Sequence, residues 1–263
     1  MTFKYLVYDI ESIINRPLLN KVLYAGENLS DDEAYQKHVA EMQAEDPSRT
    51  FINPAFHKPI SLACLSVNAD YSIGHMGFLG GEQKTSASIV KHFWTLYNEK
   101  KPVLVDFNGR GYDIRLLELW AFQLGVIIDP RHFSKYGPRY RFSDEFHLDL
   151  HEFLTNNGAI RYRGGLDLFS KLLGKPGKMT TKGDMVEKLY EAKEFFQIDD
   201  YCLCDALDTY FVFLRTRVMM GQLGLVREQE LVGQAKKKIE KKNQEEGFLK
   251  SYLSNFGEWV PFE

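Results

Sequence analysis

The sequence predicts an α/β fold: a mixed sheet, antiparallel hairpin strands plus parallel strands, flanked by helices. Three observations carry that expectation. The β-prone run Phe3-Lys-Tyr-Leu-Val-Tyr8 stands first, two further apolar runs joined by a polar turn read as a hairpin, and short apolar strands then alternate with amphipathic helices. With 263 residues, 44% hydrophobic and 14% aromatic, the chain can bury a sizeable core, so disorder is not expected.

The elements follow in order. The first strand spans 3–8 and delivers Asp9 and Glu11 at its C-terminal end. Residues 12–58 read as an insertion, in which Ser30-Asp-Asp-Glu33 is a helix-start signature for a charged helix running to about Ala44. Ile60 to Val67 and Tyr71 to Phe78 form the hairpin around Asn68-Ala-Asp70. A helix is expected over roughly 85–98, a strand at Val103-Leu-Val-Asp-Phe107, a helix over 112–124 and a strand at Phe146-His-Leu-Asp-Leu150. From Leu166 the pattern is helical apart from the loop Gly174-Lys-Pro-Gly-Lys178, and its clearest helix runs from about Asp200 to Leu223. Residues 1–225 are thus expected to form one domain, and 226–263 a C-terminal helical extension packed on it. Within that extension Lys236-Lys-Lys-Ile-Glu-Lys-Lys242 reads as a solvated helix, followed by Phe248, Trp259 and Phe262 docking on the core.

A formal net charge of -3 excludes a globally polycationic nucleic-acid binder, so any such site must be local. Cys64, Cys202 and Cys204 form neither a secreted disulfide framework nor a zinc-like pattern, which points to a reducing, cytoplasmic setting. No run approaches the ~18 apolar residues of a membrane span, so no membrane association is expected.

Three motifs carry chemistry. In an extended segment residues i and i+2 project to one side, so Asp9 and Glu11 can converge on one cation. Asn108-Gly-Arg-Gly-Tyr-Asp113 combines a tight glycine turn with an aspartate just inside a helix. Tyr201-Cys-Leu-Cys-Asp205 stacks a phenol and a carboxylate on one helix face. Each alone also has an ordinary structural reading: a solvated acidic pair, a helix cap, an amphipathic face.

Taken together and in this order, Asp9-x-Glu11, Asn108 with Asp113, and Tyr201-x-x-x-Asp205 resemble the three exonuclease motifs of the DEDD superfamily, tyrosine (DEDDy) subtype. The chain is most similar to the predicted 3′–5′ exonucleases related to the proofreading domain of family B DNA polymerases. The resemblance runs to about Leu225 and includes Leu29-Ser-Asp-Asp-Glu-Ala34, His147-Leu-Asp-Leu150 and Leu173-Gly-Lys-Pro-Gly-Lys-Met179. Ser12 departs from the threonine common in relatives, keeping the hydroxyl and losing a methyl.

The resemblance implies a ribonuclease H-like fold and hydrolysis of phosphodiester bonds from a 3′ end by two divalent ions, Mg²⁺ or Mn²⁺. It implies that Asp9, Glu11 and Asp205 hold one ion, that Asp9 and Asp113 support the other, and that Tyr201 orients the attacking water. Ile10, Ser12, Phe107, Asn108 and Lys178 would then contact substrate. Lys175, Lys178 and Lys182 read as a phosphate-contacting loop, and Arg161 and Arg163 flank Tyr162 in a basic-aromatic patch. His57, His147 and His151 read as packing or loop residues. Single-stranded DNA is the expected substrate; RNA trimming, and a catalytically idle module that binds nucleic acid, remain alternatives. Repair, proofreading in trans and nucleotide scavenging all stay open as pathways.

Overall fold

Ten consecutive residues, Tyr5–Ile14, form strand β1, and the two faces of that strand bury different partners. Tyr5 and Val7 join one core cluster, whereas Leu6, Tyr8 and Ile10 join another on the opposite side of the sheet. The alternation continues past the core, so Asp9 and Glu11 stand on the same face as Tyr5 and Val7. The computed structural model describes residues 3–49, 51–81, 84–178, 184–246 and 249–260.

The remaining strands are β2 (His57–Val67), β3 (Ile73–Phe78), β4 (Val103–Asp106) and β5 (His147–Asp149). They form one five-stranded sheet in the order β3-β2-β1-β4-β5. β1 pairs antiparallel with β2, and β2 with β3; β1 and β4, and β4 and β5, pair parallel. The mixed α/β sheet expected from the sequence is the one present.

Helices cover both faces. α3 (Ser86–Lys100) and α4 (Asp113–Leu124) bury Phe93, Trp94, Ile114 and Leu117 against Leu6, Tyr8 and Leu62. On the other face lies α8 (Phe195–Met219), whose Leu203, Leu207, Tyr210 and Phe213 pack on Val7, Leu65 and Val105. It starts and stops earlier than the apolar pattern suggests; Met219 is its last residue, and Gly221 beyond it adopts φ +70. Beside it run the shorter α5 (Leu150–Leu154), α6 (Gly165–Leu172) and α7 (Asp184–Glu191).

α9 (Leu225–Glu246) and α10 (Lys250–Ser254) complete that layer. The α9 face bearing Glu228, Leu231, Ala235 and Ile239 is buried, while its lysine-rich side is not. Trp259 packs at the edge of the core, with the Arg215 guanidinium 4.2 Å from its ring centroid; Phe248 and Phe262 lie outside the described residues.

β1 is longer than the apolar run at 3–8 suggests. Its pairing with β2 continues to Ile14↔His57, with a bulge between Glu11 and Ser12, because the neighbouring strand supplies backbone partners past the end of the apolar pattern. Between these strands come α1 (Arg16–Leu23) and α2 (Asp31–Glu45). The Ser30 signature is a complete capping box with Glu33. The two helices enclose a small core of Leu19, Tyr24, Ala34, Met42 and Ile52. Arg16 ties them to α7, reaching Glu187 at 2.6 Å and Glu191 at 2.9 Å while also holding Asp32 at 2.8 Å.

Candidate active site

β4 ends at Asp106 while β1 runs on, so Asp9 and Glu11 project where the parallel part of the sheet opens. Crevices at the carboxyl ends of parallel strands are the habitual ligand sites of such sheets. Here a cavity of about 960 Å³ is lined by Asp9, Ile10, Glu11, Ser12, Phe107, Asn108, Asp113, Lys178, Tyr201 and Asp205.

One oxygen from each of Asp9, Glu11 and Asp205 lies within 4.8 Å of the others. α8 brings Asp205 to β1, and Cys202 fastens the two elements: its thiol donates to the Asp9 carbonyl oxygen at 3.2 Å and accepts from the Ala63 N–H at 3.3 Å. Burial raises the Asp9 carboxyl well above its ordinary value, and the charges of Asp205, Asp113 and Glu11 raise it further. Glu11 is raised by burial and then by Asp205. Asp205 is pushed up to about 6 by burial, with Lys178 opposing the shift. A set of hard oxygen donors that repel one another in a buried site suits a divalent cation, whose charge removes the repulsion.

Asp113 stands outside that mutual group of three but faces the same cavity from the first turn of α4. Burial, followed by the charge of Asp106, raises its carboxyl strongly, with the Ile10 backbone opposing the shift. Tyr201 stands one helical turn from Asp205, and burial, then the charge of Asp205, drives the phenol far above its usual range. Lys178 is exposed at the rim, its Nζ 5.7 Å from the Tyr201 ring centroid, and its backbone N–H donates to Asp167 at 2.7 Å.

The turn that presents Asn108 and Asp113 is held by two buried carboxylates that the sequence reading did not single out. Asp149, whose neighbour in the sheet is Asp106, accepts from the N–H groups of Asn108 at 2.9 Å and Arg110 at 3.0 Å. Asp106 accepts from the Gly109 N–H at 3.2 Å, from the Tyr8 hydroxyl at 2.6 Å and bonds His147 at 2.7 Å. This clasp lets Asn108 hold φ +69, which leaves the residue exposed at the cavity. The signal was present in His147-Leu-Asp149, whose aspartate ends a strand predicted to lie in the same sheet.

Ser12 meets a second group that was not foreseen. Its hydroxyl bonds Tyr112 and, at 3.0 Å, Nδ1 of His57, while the Tyr112 hydroxyl also reaches that nitrogen at 2.9 Å. His57 Nε2 bonds the Ile52 carbonyl at 3.1 Å, and burial lowers the imidazole pKa; read from the sequence as a packing residue, His57 also lines the cavity and bonds the Ser12 and Tyr112 hydroxyls there. His147 is likewise buried, and His151 packs its ring 5.5 Å from Phe107.

Lys175, expected to contact phosphate, does not face the cavity. Its Nζ donates to the Gly257 carbonyl at 3.0 Å and sits 4.3 Å from the Phe256 ring centroid, because the C-terminal segment closes over the loop. Burial lowers its pKa to about 8. Lys182 lies outside the described residues.

Residues 49–256 match the family described as "Predicted 3'-5' exonuclease related to the exonuclease domain of PolB". The chain belongs to this family. The match to the exonuclease family begins beyond β1, so Asp9 and Glu11 enter the site through the geometry just described. Among solved structures, the family B DNA polymerase of the hyperthermophilic archaeon Pyrobaculum calidifontis is similar in fold, with a TM-score of 0.51, 14% identity and 83% of this chain covered. The chain spans 25% of that polymerase. No curated protein matches the chain. Among the described residues no helix is long and apolar enough to cross a membrane.

Proposed function

We propose that this exonuclease-family chain hydrolyses nucleic-acid phosphodiester bonds from the 3′ end, using two divalent ions, Mg²⁺ or Mn²⁺, with single-stranded DNA as substrate and 5′-mononucleotides as products. The observation that carries the reading is the convergence of Asp9, Glu11 and Asp205, ligand atoms within 4.8 Å of one another, in the lining of the cavity. Asp9, Glu11 and Asp205 would hold one ion, and Asp9 with Asp113 the other. When bound, such ions supply a water activated at neutral pH and stabilise charge on the scissile phosphate and leaving oxygen.

The chain's own groups do the rest. Tyr201, whose phenol stays protonated through its burial beside Asp205, acts as a hydrogen-bond donor that orients the water, not as a base. Asn108 offers an amide to the terminal nucleotide, and Phe107 gives its sugar and base apolar surface, whereas the Ile10 side chain is buried in the core on the other face of the sheet. Ser12 is positioned by His57 and Tyr112 to bond substrate, and Lys178 at the rim meets a phosphate.

The test incubates purified protein with 5′-labelled single-stranded DNA and RNA of one sequence, with Mg²⁺, Mn²⁺ or EDTA, beside Asp113→Ala. Stepwise shortening of DNA from the 3′ end, abolished by EDTA and by the substitution, is the expected result. Shortening of RNA in preference to DNA would move the substrate to RNA. No turnover with either ion would leave a binding module.

A further inference from the structure

A file of aromatic rings leads out of the cavity to the surface. His151 and Phe107 both line the cavity, with ring centroids 5.5 Å apart. Phe107 stands 5.9 Å from Phe169, and Phe169 stands 5.7 Å from Tyr162, whose residue surface is 44% exposed. The backbone follows the same path. Gly164 and Gly165 line the cavity with φ of +104 and +54, and an added Cβ on Gly165 would lie 3.9 Å from the Phe107 ring. The stretch Arg161-Tyr162-Arg163 immediately before them is exposed throughout.

Its charges are also unspent. Arg139 and Arg141, by contrast, are paired with Glu118 at 3.2 Å and Glu152 at 2.9 Å. Arg161 and Arg163 have no carboxylate within ion-pair distance among the described residues. On a chain of net charge -3, two uncompensated guanidiniums flanking an exposed phenol make a local site for a polyanion with flat rings.

We propose that Arg161, Tyr162 and Arg163 form a platform for the nucleotides that trail behind a 3′ end seated in the cavity. Tyr162 stacks on a base, the two guanidiniums meet the adjoining phosphates, and the ligand class is a single-stranded polynucleotide longer than the cavity holds. The assignment rests on the nuclease reading of the cavity for its direction, yet platform binding can be measured without hydrolysis.

Binding of fluorescent oligothymidylates of ten and of two residues is followed by anisotropy in EDTA, for wild type, Tyr162→Ala, Tyr162→Phe and Arg161→Gln/Arg163→Gln. For the longer ligand, Tyr162→Ala should weaken binding roughly 10-fold and Tyr162→Phe should restore it, since either ring stacks. The arginine pair should lower the salt slope by about 0.7 per residue removed. The two-residue ligand should bind all four proteins alike. Equal losses at both lengths, or none at either, would overturn the platform. Length-dependent binding through Tyr162 in a protein that cleaves nothing would keep the platform and remove the nuclease reading. In active protein, Tyr162→Ala should raise KM for the longer strand and leave kcat unchanged; a fall in kcat alone would count against it.

Discussion

The Asp106 carboxylate fills the space that a side chain on Gly109 would need. A Cβ built on Gly109 lies far inside contact distance of Oδ2 of Asp106, while the Gly109 N–H donates to Oδ1 at 3.2 Å. Gly109→Ala must therefore break the clasp that presents Asn108 and Asp113. Destabilisation on the order of 1–3 kcal/mol is expected, with loss of nuclease activity beyond what the unfolded fraction explains. Gly26→Ala, where a Cβ meets nothing within 4 Å, is the control and should change neither. Urea titration and a nuclease assay on both variants decide the matter; a fully stable, active Gly109→Ala protein would refute it.

Tyr201 and Asp205 share a face of α8, and the roles proposed for them differ. Tyr201→Phe should lower kcat roughly 10- to 100-fold and leave Mn²⁺ affinity unchanged, whereas Asp205→Ala should remove both. A wild-type rate in Tyr201→Phe would end the positioning role.

Cation binding should release protons. Burial and mutual repulsion hold the carboxyls of Asp9, Glu11 and Asp205 above their ordinary values, Asp205 at about 6. A cation takes the charged form, so affinity should climb as pH rises through about 6. Calorimetry of Mn²⁺ binding near that pH, in two buffers of different ionisation enthalpy, should give different apparent heats. Identical heats in both buffers would contradict the linkage.

Asp208 lies in the core under α10, where the Tyr252 hydroxyl donates to it at 2.6 Å. Burial lifts its carboxyl from 3.8 to about 7. Between those values the folded protein keeps a proton that the unfolded chain has released, so this group's contribution to stability falls as pH rises through the window. Each pKa unit is worth about 1.4 kcal/mol. Asp208→Asn keeps an acceptor for Tyr252 without the titration, and should be more stable than wild type at pH 8 by an amount that shrinks toward pH 4. Urea midpoints at both ends of the range test this, and an advantage independent of pH would defeat it.

The acids that line the cavity were legible because their placement is written in local spacing: Asp9 and Glu11 lie two residues apart on a strand, and Tyr201 and Asp205 lie one helical turn apart. Asp106 and Asp149 were not recognised, because what makes them a clasp is parallel pairing between strands far apart in sequence. The same holds for the Ser12, His57 and Tyr112 cluster, assembled across an antiparallel pair and the start of α4. Lys175 and Lys178 share one glycine-rich loop and one residue type, yet one is buried under the C-terminal segment and the other faces the cavity. Nothing in their spacing encodes that difference, since a later stretch of chain decides it.

Asp9 sits on the first strand and Asp205 on the eighth helix, so any ion they share would stitch together two stretches of polypeptide with most of the fold strung between them. Such an ion would work as a detachable cross-link: bound to the native site and not to the unfolded chain, it would add its own affinity to the stability of the fold. Chelation would then loosen the protein as well as silence it, and a polypeptide interrupted before α8 would have no second half to grip.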